Sequence, residues 1–149
     1  MSDLYFAYGS NLHAPRMRER IPSARALGAH LLEGFRFTLD KPSRDGSAKA
    51  NLHAQADARV WGAVYRLDAA DWPALDACEP GYQRQRVRLR AEDLEREADT
   101  YVSALRSPDP VAFEWYKQLI VAGAREHALP AAWIDFLAGL PARPDPARR

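Results

Sequence analysis

The chain is 149 residues long, 47% hydrophobic and 28% charged, with a formal net charge of +1. That length suits one domain with a buried core, and the small net charge excludes a global pull toward nucleic acid or an anionic membrane. A single cysteine, Cys78, rules out an internal disulfide, and the scattered histidines His13, His30, His53 and His127 show no metal-ligand spacing. Met1-Ser2-Asp3-Leu4 has no basic region leading into an apolar run, so no signal peptide is expected. No apolar stretch is long enough to span a bilayer, and a reducing, cytoplasmic setting is the expectation.

Aromatic-rich residues Asp3 to Tyr8 predict an opening strand, broken by the turn-formers Gly9-Ser10-Asn11. A short helix follows, with Pro15 in its first turn. Ala26 to Leu39 has strand character around a break at Gly34, and the polar stretch Asp40 to Ala50, with Asp45-Gly46, reads as a loop. Val60 to Leu67 is apolar on both faces, which predicts a central strand covered on both sides. Asp68 then suits an N-cap for a helix reaching about Cys78, stopped by Pro80-Gly81.

From Tyr82 to Arg90 the pattern alternates, with Val87 and Leu89 on one face and Arg84, Arg86, Arg88 and Arg90 on the other. That arginine row reads as a solvated strand face or edge protection. Asp99 to Leu105 predicts another strand. After Ser107-Pro108-Asp109-Pro110, Trp115, Leu119 and Ala122 form a helical stripe with Tyr116, Ile120 and Gly123 beside it. A last helix carries Trp133, Phe136, Leu137 and Leu140 at helical spacing. All four tryptophans read as core. The expected plan is one α+β domain over residues 1–140, a partly closed mixed β-barrel flanked by helices. The Pro- and Arg-rich residues 141–149 are expected to form a mobile tail.

Two segments could carry chemistry. In Tyr8-Gly9-Ser10-Asn11-Leu12 a glycine after a strand lets backbone approach a ligand, and successive amides can form an anion-binding nest. Taken alone, the same residues are ordinary turn chemistry. In Leu75-Asp76-Ala77-Cys78-Glu79-Pro80-Gly81-Tyr82, Glu79 follows Trp72 by seven positions, which directs its carboxylate toward the apolar side if the helix persists. Burial and the helix C-terminus would both raise its pKa toward neutrality, as a general acid–base residue needs. Against this, a residue before proline avoids helical geometry. Glu79 also reads as a solvent-facing helix-end residue paired with an arginine, and Asp76 is the rival carboxylate. Cys78 reads as a small buried hydrophobe and Tyr116 as a core tyrosine.

In this order the pieces resemble the γ-glutamylcyclotransferase-like (AIG2-like) family. The resemblance rests on Tyr5-Phe6-Ala7-Tyr8-Gly9-Ser10-Asn11-Leu12, on Trp61 through Leu67, on Leu75-Asp76 through Glu79 with Gly81-Tyr82-Gln83-Arg84, and on Tyr116 through Leu129-Pro130. It implies a small β-barrel with flanking helices, no metal and no organic cofactor. The activity implied is closure of a γ-glutamyl amide to 5-oxoproline, in which the substrate's own α-amine attacks and the amine is released. By the same resemblance Glu79 is the acid–base residue, the loop of Tyr8, Gly9, Ser10, Asn11 and Leu12 binds the γ-glutamyl half, and Tyr116 lines the pocket. The stretch Asp45 to Asn51 departs from the glycine-richer mammalian-type pattern and is closer to bacterial relatives. The implied partner is a small γ-glutamyl molecule, with no nucleic acid or membrane, and the assembly is a monomer or homodimer. A non-catalytic module that binds a γ-glutamyl ligand is the alternative.

Overall fold

In the computed structural model, which describes residues 3–148, the chain opens on β1, Leu4–Ala7, buried at every position. Met1, Ser2 and Arg149, which belong to the expected leaderless start, domain and tail, lie outside the described residues. A 3-10 turn at Ser10–Leu12 leads into helix α1, Ala14–Arg20, with Pro15 in its first turn, where a missing N–H costs nothing. Two long strands follow, β2 at Arg25–Pro42 and β3 at Ala48–Arg66, joined by a turn through Asp45-Gly46. Register shifts across Ala26/Gly28, Glu33/Phe35 and Leu39/Lys41 bend this hairpin, and such bulges let a sheet curl.

A 3-10 turn, Ala69–Asp71, precedes α2, Trp72–Ala77. Asp68 stands at the N-cap position, but its side chain makes no capping bond. Strands β4, Gln83–Ala91, and β5, Leu94–Val102, form the second hairpin. Val87 and Leu89 turn inward, as their alternation predicts. On the outer face Arg86 pairs with Glu97 and Asp99, Arg88 with Glu97, and Arg90 with Glu33. The short β6, Ala112–Phe113, runs into α3, Glu114–Glu126, and α4, Ala131–Ala138, follows.

Among the described residues, five strands close into a barrel in the order β1-β3-β2-β4-β5. Closure comes from β1, which pairs antiparallel with β3 and parallel with β5 at Tyr5↔Asp99. The expectation of a partly closed barrel thus becomes a complete one, and closure removes the exposed edges a short meander would leave. Val60, Ala63, Val64 and Tyr65 of β3 are buried, as expected of a strand covered on both sides. Trp72 is fully buried, whereas Trp61, Trp115 and Trp133 are only partly covered. The face of α3 that meets the barrel carries Tyr116, Ile120 and Gly123, not the Trp115 stripe.

Segment 141–149, expected to be a tail, is drawn against the domain as far as it is described. Ala142–Arg143 form β7, parallel to β6, and Asp145 accepts a hydrogen bond from Trp115 Nε1 at 2.8 Å.

Candidate active site

One end of the barrel holds a small cavity walled by the loop after β1, the turn after α2 and the start of α3. Glu79 sits beyond the end of α2, in a turn where its N–H bonds the Asp76 carbonyl. Helical geometry is thus abandoned before Pro80, as the steric demand of proline dictates. The carboxylate still faces inward, with 16% of the side chain exposed.

Asn11 holds it there. Its Nδ2 donates to Glu79 Oε1 and to the Tyr5 hydroxyl, each at 3.0 Å. Arg20 Nη1 in turn donates to Asn11 Oδ1 at 3.3 Å and lies 3.7 Å from Glu79 Oε1. Burial pushes the Glu79 carboxyl up to about 7, against the smaller downward pulls of Arg20, the Asn11 hydrogen bond, Arg16 and Lys41. Desolvation therefore outweighs three nearby cations, and the group titrates where a proton shuttle works best.

Tyrosines make the wall. Tyr5, Tyr8, Tyr82, Tyr101 and Tyr116 all line the cavity. The hydroxyls of Tyr5, Tyr8 and Tyr116 are raised by burial first, with Glu79 adding to it, so they stay neutral hydrogen-bonding groups at physiological pH. Each has a fixed partner. Tyr116 accepts from the Ala50 N–H at 2.9 Å, Tyr82 donates to the Ala50 carbonyl at 2.6 Å, and Tyr8 donates to the Tyr101 carbonyl. Tyr101 donates to Asp76 Oδ1 at 2.6 Å, and Asp76 also meets Arg84 Nε at 3.1 Å. The rival carboxylate is thus engaged in a structural network and is not among the residues lining the cavity.

Of the residues singled out in the sequence, Tyr8, Gly9, Ser10, Asn11, Glu79 and Tyr116 come together around this cavity. Leu12 does not line it. Its side chain is fully buried, and its carbonyl accepts from Tyr65 Oη at 3.1 Å and meets His127 Nε2 at 2.8 Å. The loop is clamped from outside as well. A Cβ on Gly123 of α3 would lie 2.3 Å from the Leu12 carbonyl carbon, so glycine alone lets that helix rest on the loop backbone.

Sequence reasoning missed Tyr5, Tyr82, Tyr101 and Ala50 as lining residues, and Arg20 as the partner that steadies Asn11. Tyr5 lies in β1, where every residue is buried, and Tyr101 in a buried run of β5, so inward placement alone does not single out either one as part of a site.

A model of the AIG2-like family matches residues 59–137, which hold the central strand, Glu79 and all of α3. The chain belongs to the AIG2-like family. Curated relatives include the human protein named gamma-glutamylcyclotransferase, 29% identical over 91% of this chain and 77% of its own length. The mouse protein of the same name is 30% identical over 90% of this chain and 76% of its own. Among solved structures, a gamma-glutamyl cyclotransferase superposes with a TM-score of 0.88 at 25% identity, covering 100% of this chain and 92% of that one. YkqA from Bacillus subtilis shares the fold at a TM-score of 0.78, with 93% of this chain and 55% of that one covered. The closed barrel with its flanking helices is accordingly the fold of this AIG2-like family.

Proposed function

We propose that the chain is a cyclotransferase that converts a γ-glutamyl amide into 5-oxoproline and a free amine. The observation that carries this reading is a single carboxylate, Glu79, raised to about 7 inside a tyrosine-walled cavity. Relatives named gamma-glutamylcyclotransferase supply the reaction class.

The substrate holds its own nucleophile, so the site must fold the γ-glutamyl chain and move protons. The first amides of the Ser10–Leu12 turn have no acceptor within it, and they suit the substrate α-carboxylate. The wall of Tyr8, Tyr82 and Tyr116 excludes water and limits the chain to bent shapes, which lowers the entropic part of the barrier. Glu79 as carboxylate takes one proton from the α-ammonium, and the freed lone pair forms a C–N bond to the γ-carbonyl carbon. As the original C–N bond breaks, Glu79 gives that proton to the departing nitrogen. The second ammonium proton leaves as the lactam nitrogen becomes neutral, and the released amine takes up a proton in water. Asn11 is a positioning residue here, since it reaches the reaction through Glu79.

The test is mass-spectrometric detection of 5-oxoproline from a panel of γ-glutamyl amides, with Glu79→Gln alongside. Wild type should release it from at least one member. The variant, which keeps an oxygen for Asn11, should fold and bind but lose at least about a hundredfold in turnover, the usual share of a general acid–base group. Release unaffected by the substitution would remove Glu79 from the chemistry. Absence of release from every member would leave a γ-glutamyl-binding module.

A further inference from the structure

Outside Glu79 a second, roomier cavity continues the first and shares Ser10, Glu79, Tyr82 and Tyr116 with it. A departing amine would enter it. Its other lining is unusually cationic, with Arg16, Arg20, Lys41 and Lys49 all contributing.

Two of these four charges are already answered. Arg20 faces Glu79 at 3.7 Å, and Lys49 Nζ meets Asp45 at 3.0 Å. The other two have no carboxylate within ion-pair distance among the described residues. Arg16 is half-buried and its Nε, shielded from solvent, lacks a hydrogen-bond partner. Lys41 is 7% exposed, and its ammonium lies 5.0 Å from the centre of the Tyr82 ring. It packs on Gly81, where any Cβ would come within 2.9 Å of Lys41 Cε. Burial lowers the pKa of both cations, a sign of charge kept out of water without full compensation. Arg16, half-buried, and Lys41, buried, thus stand without a carboxylate at ion-pair distance among the described residues, and an arriving anion would offset the cost of keeping them from water.

We infer that the outer cavity is a leaving-group subsite for an acidic amino acid, so that the preferred substrate is a γ-glutamyl amide whose departing amine carries two carboxylates. This rests on the cyclotransferase reading. The α-carboxylate of the departing residue answers one cation and its side-chain carboxylate the other. A neutral departing residue answers only one, and a departing diamine adds repulsion.

The experiment compares kcat/KM for γ-glutamyl-L-glutamate and its near-isostere γ-glutamyl-L-glutamine in wild type, Lys41→Met and Arg16→Gln. Wild type should favour the glutamate substrate by about tenfold or more, the worth of one charge-assisted hydrogen bond. Each substitution should bring that ratio down toward one, whatever it does to the common rate. A wild-type ratio near one, or a preference that survives both substitutions, overturns the inference. In parallel, thermal melts are run with L-glutamate, L-glutamine or inorganic phosphate. A Tm rise with L-glutamate alone, lost in Lys41→Met, supports the subsite even if neither peptide is turned over, and the ring-closure reading would then be what fails. A rise with phosphate and none with L-glutamate overturns the dicarboxylate assignment.

Discussion

A carboxylate that titrates near neutrality is held partly out of water against an energetic cost, and that cost has a pH dependence. Glu79 is raised from 4.5 to about 7, with burial as the largest cause. The folded chain therefore keeps this proton over a range in which the unfolded chain has released it. Stability contributed by this group falls as pH rises from about 4.5 to 7, and the full penalty stands above that range. Glu79→Gln removes the penalty. The variant is expected to be more stable than wild type at pH 8, by on the order of 3 kcal/mol, and equal to it near pH 4.5, the ordinary value. Urea melts at the two pH values would check this, and an equal gap at both would contradict it. Asn11 supplies a second prediction at this scale. Its hydrogen bond lowers the Glu79 value, so Asn11→Ala should move the acid limb of the kcat/KM profile to higher pH, with the loss greater at pH 6 than at pH 8.5. An equal loss at both would mean that Asn11 acts on substrate and not on Glu79.

Helix α3 and the β1 loop meet through glycine, and this contact decides where Asn11 stands. Gly123→Ala gains about 1 kcal/mol of helix propensity. It also drives a methyl group to 2.3 Å from the Leu12 carbonyl carbon and 2.5 Å from the His13 nitrogen, which are backbone atoms that cannot turn aside. Overpacking of this kind costs about 1–3 kcal/mol, so the clash wins. The variant should lose stability in denaturant melts and lose turnover, because the displaced loop carries Asn11 away from Glu79. Unchanged stability would mean that the helix can lift off the loop. Elements with an apolar face announced themselves in the sequence, as the Val60 end of β3, the inward face of β4 and helix α3 illustrate. The first half of β3 did not. Residues 48–59 alternate apolar and polar in the sequence, but the apolar set is mostly alanine, which has low strand propensity, and burial does not follow the alternation: Ala54 and Ala56 are exposed whereas Asn51 is fully buried. Glu79 and the β1 loop were legible because glycine and proline punctuate them. Arg16, Arg20, Lys41 and Lys49 were not, since they come from α1, β2 and β3, and only folding gathers them at one cavity.

At the scale of the whole molecule the open question is where the domain ends. Residue 140 is the proposed boundary, and the segment after it crosses the base of α3. Arg143 meets Asp109 at 2.7 Å and the Gly46 carbonyl at 2.8 Å, Asp145 takes the Trp115 indole N–H, and the Arg148 guanidinium stacks 3.9 Å from the Trp115 ring. These contacts are peripheral to the barrel. No tail residue lines the inner cavity, whose residues run from Tyr5 to Tyr116, and exposed ion pairs contribute about 0–1 kcal/mol each. A chain ending at residue 140 should therefore keep the far-UV circular dichroism of the barrel and its turnover per folded molecule. Its Tm should fall by several degrees as the stacked arginine and the indole hydrogen bond are lost. Tryptophan emission should shift to the red, because Trp115 loses cover while Trp72 stays fully buried. Failure of that shortened chain to fold would move the boundary to the end of the chain, with β7 as an integral strand. A fall in turnover without loss of fold would instead trace to Lys49, whose ammonium lies 4.7 Å from the Trp115 ring and 4.5 Å from that of Tyr116. The tail would then support the outer cavity through Trp115.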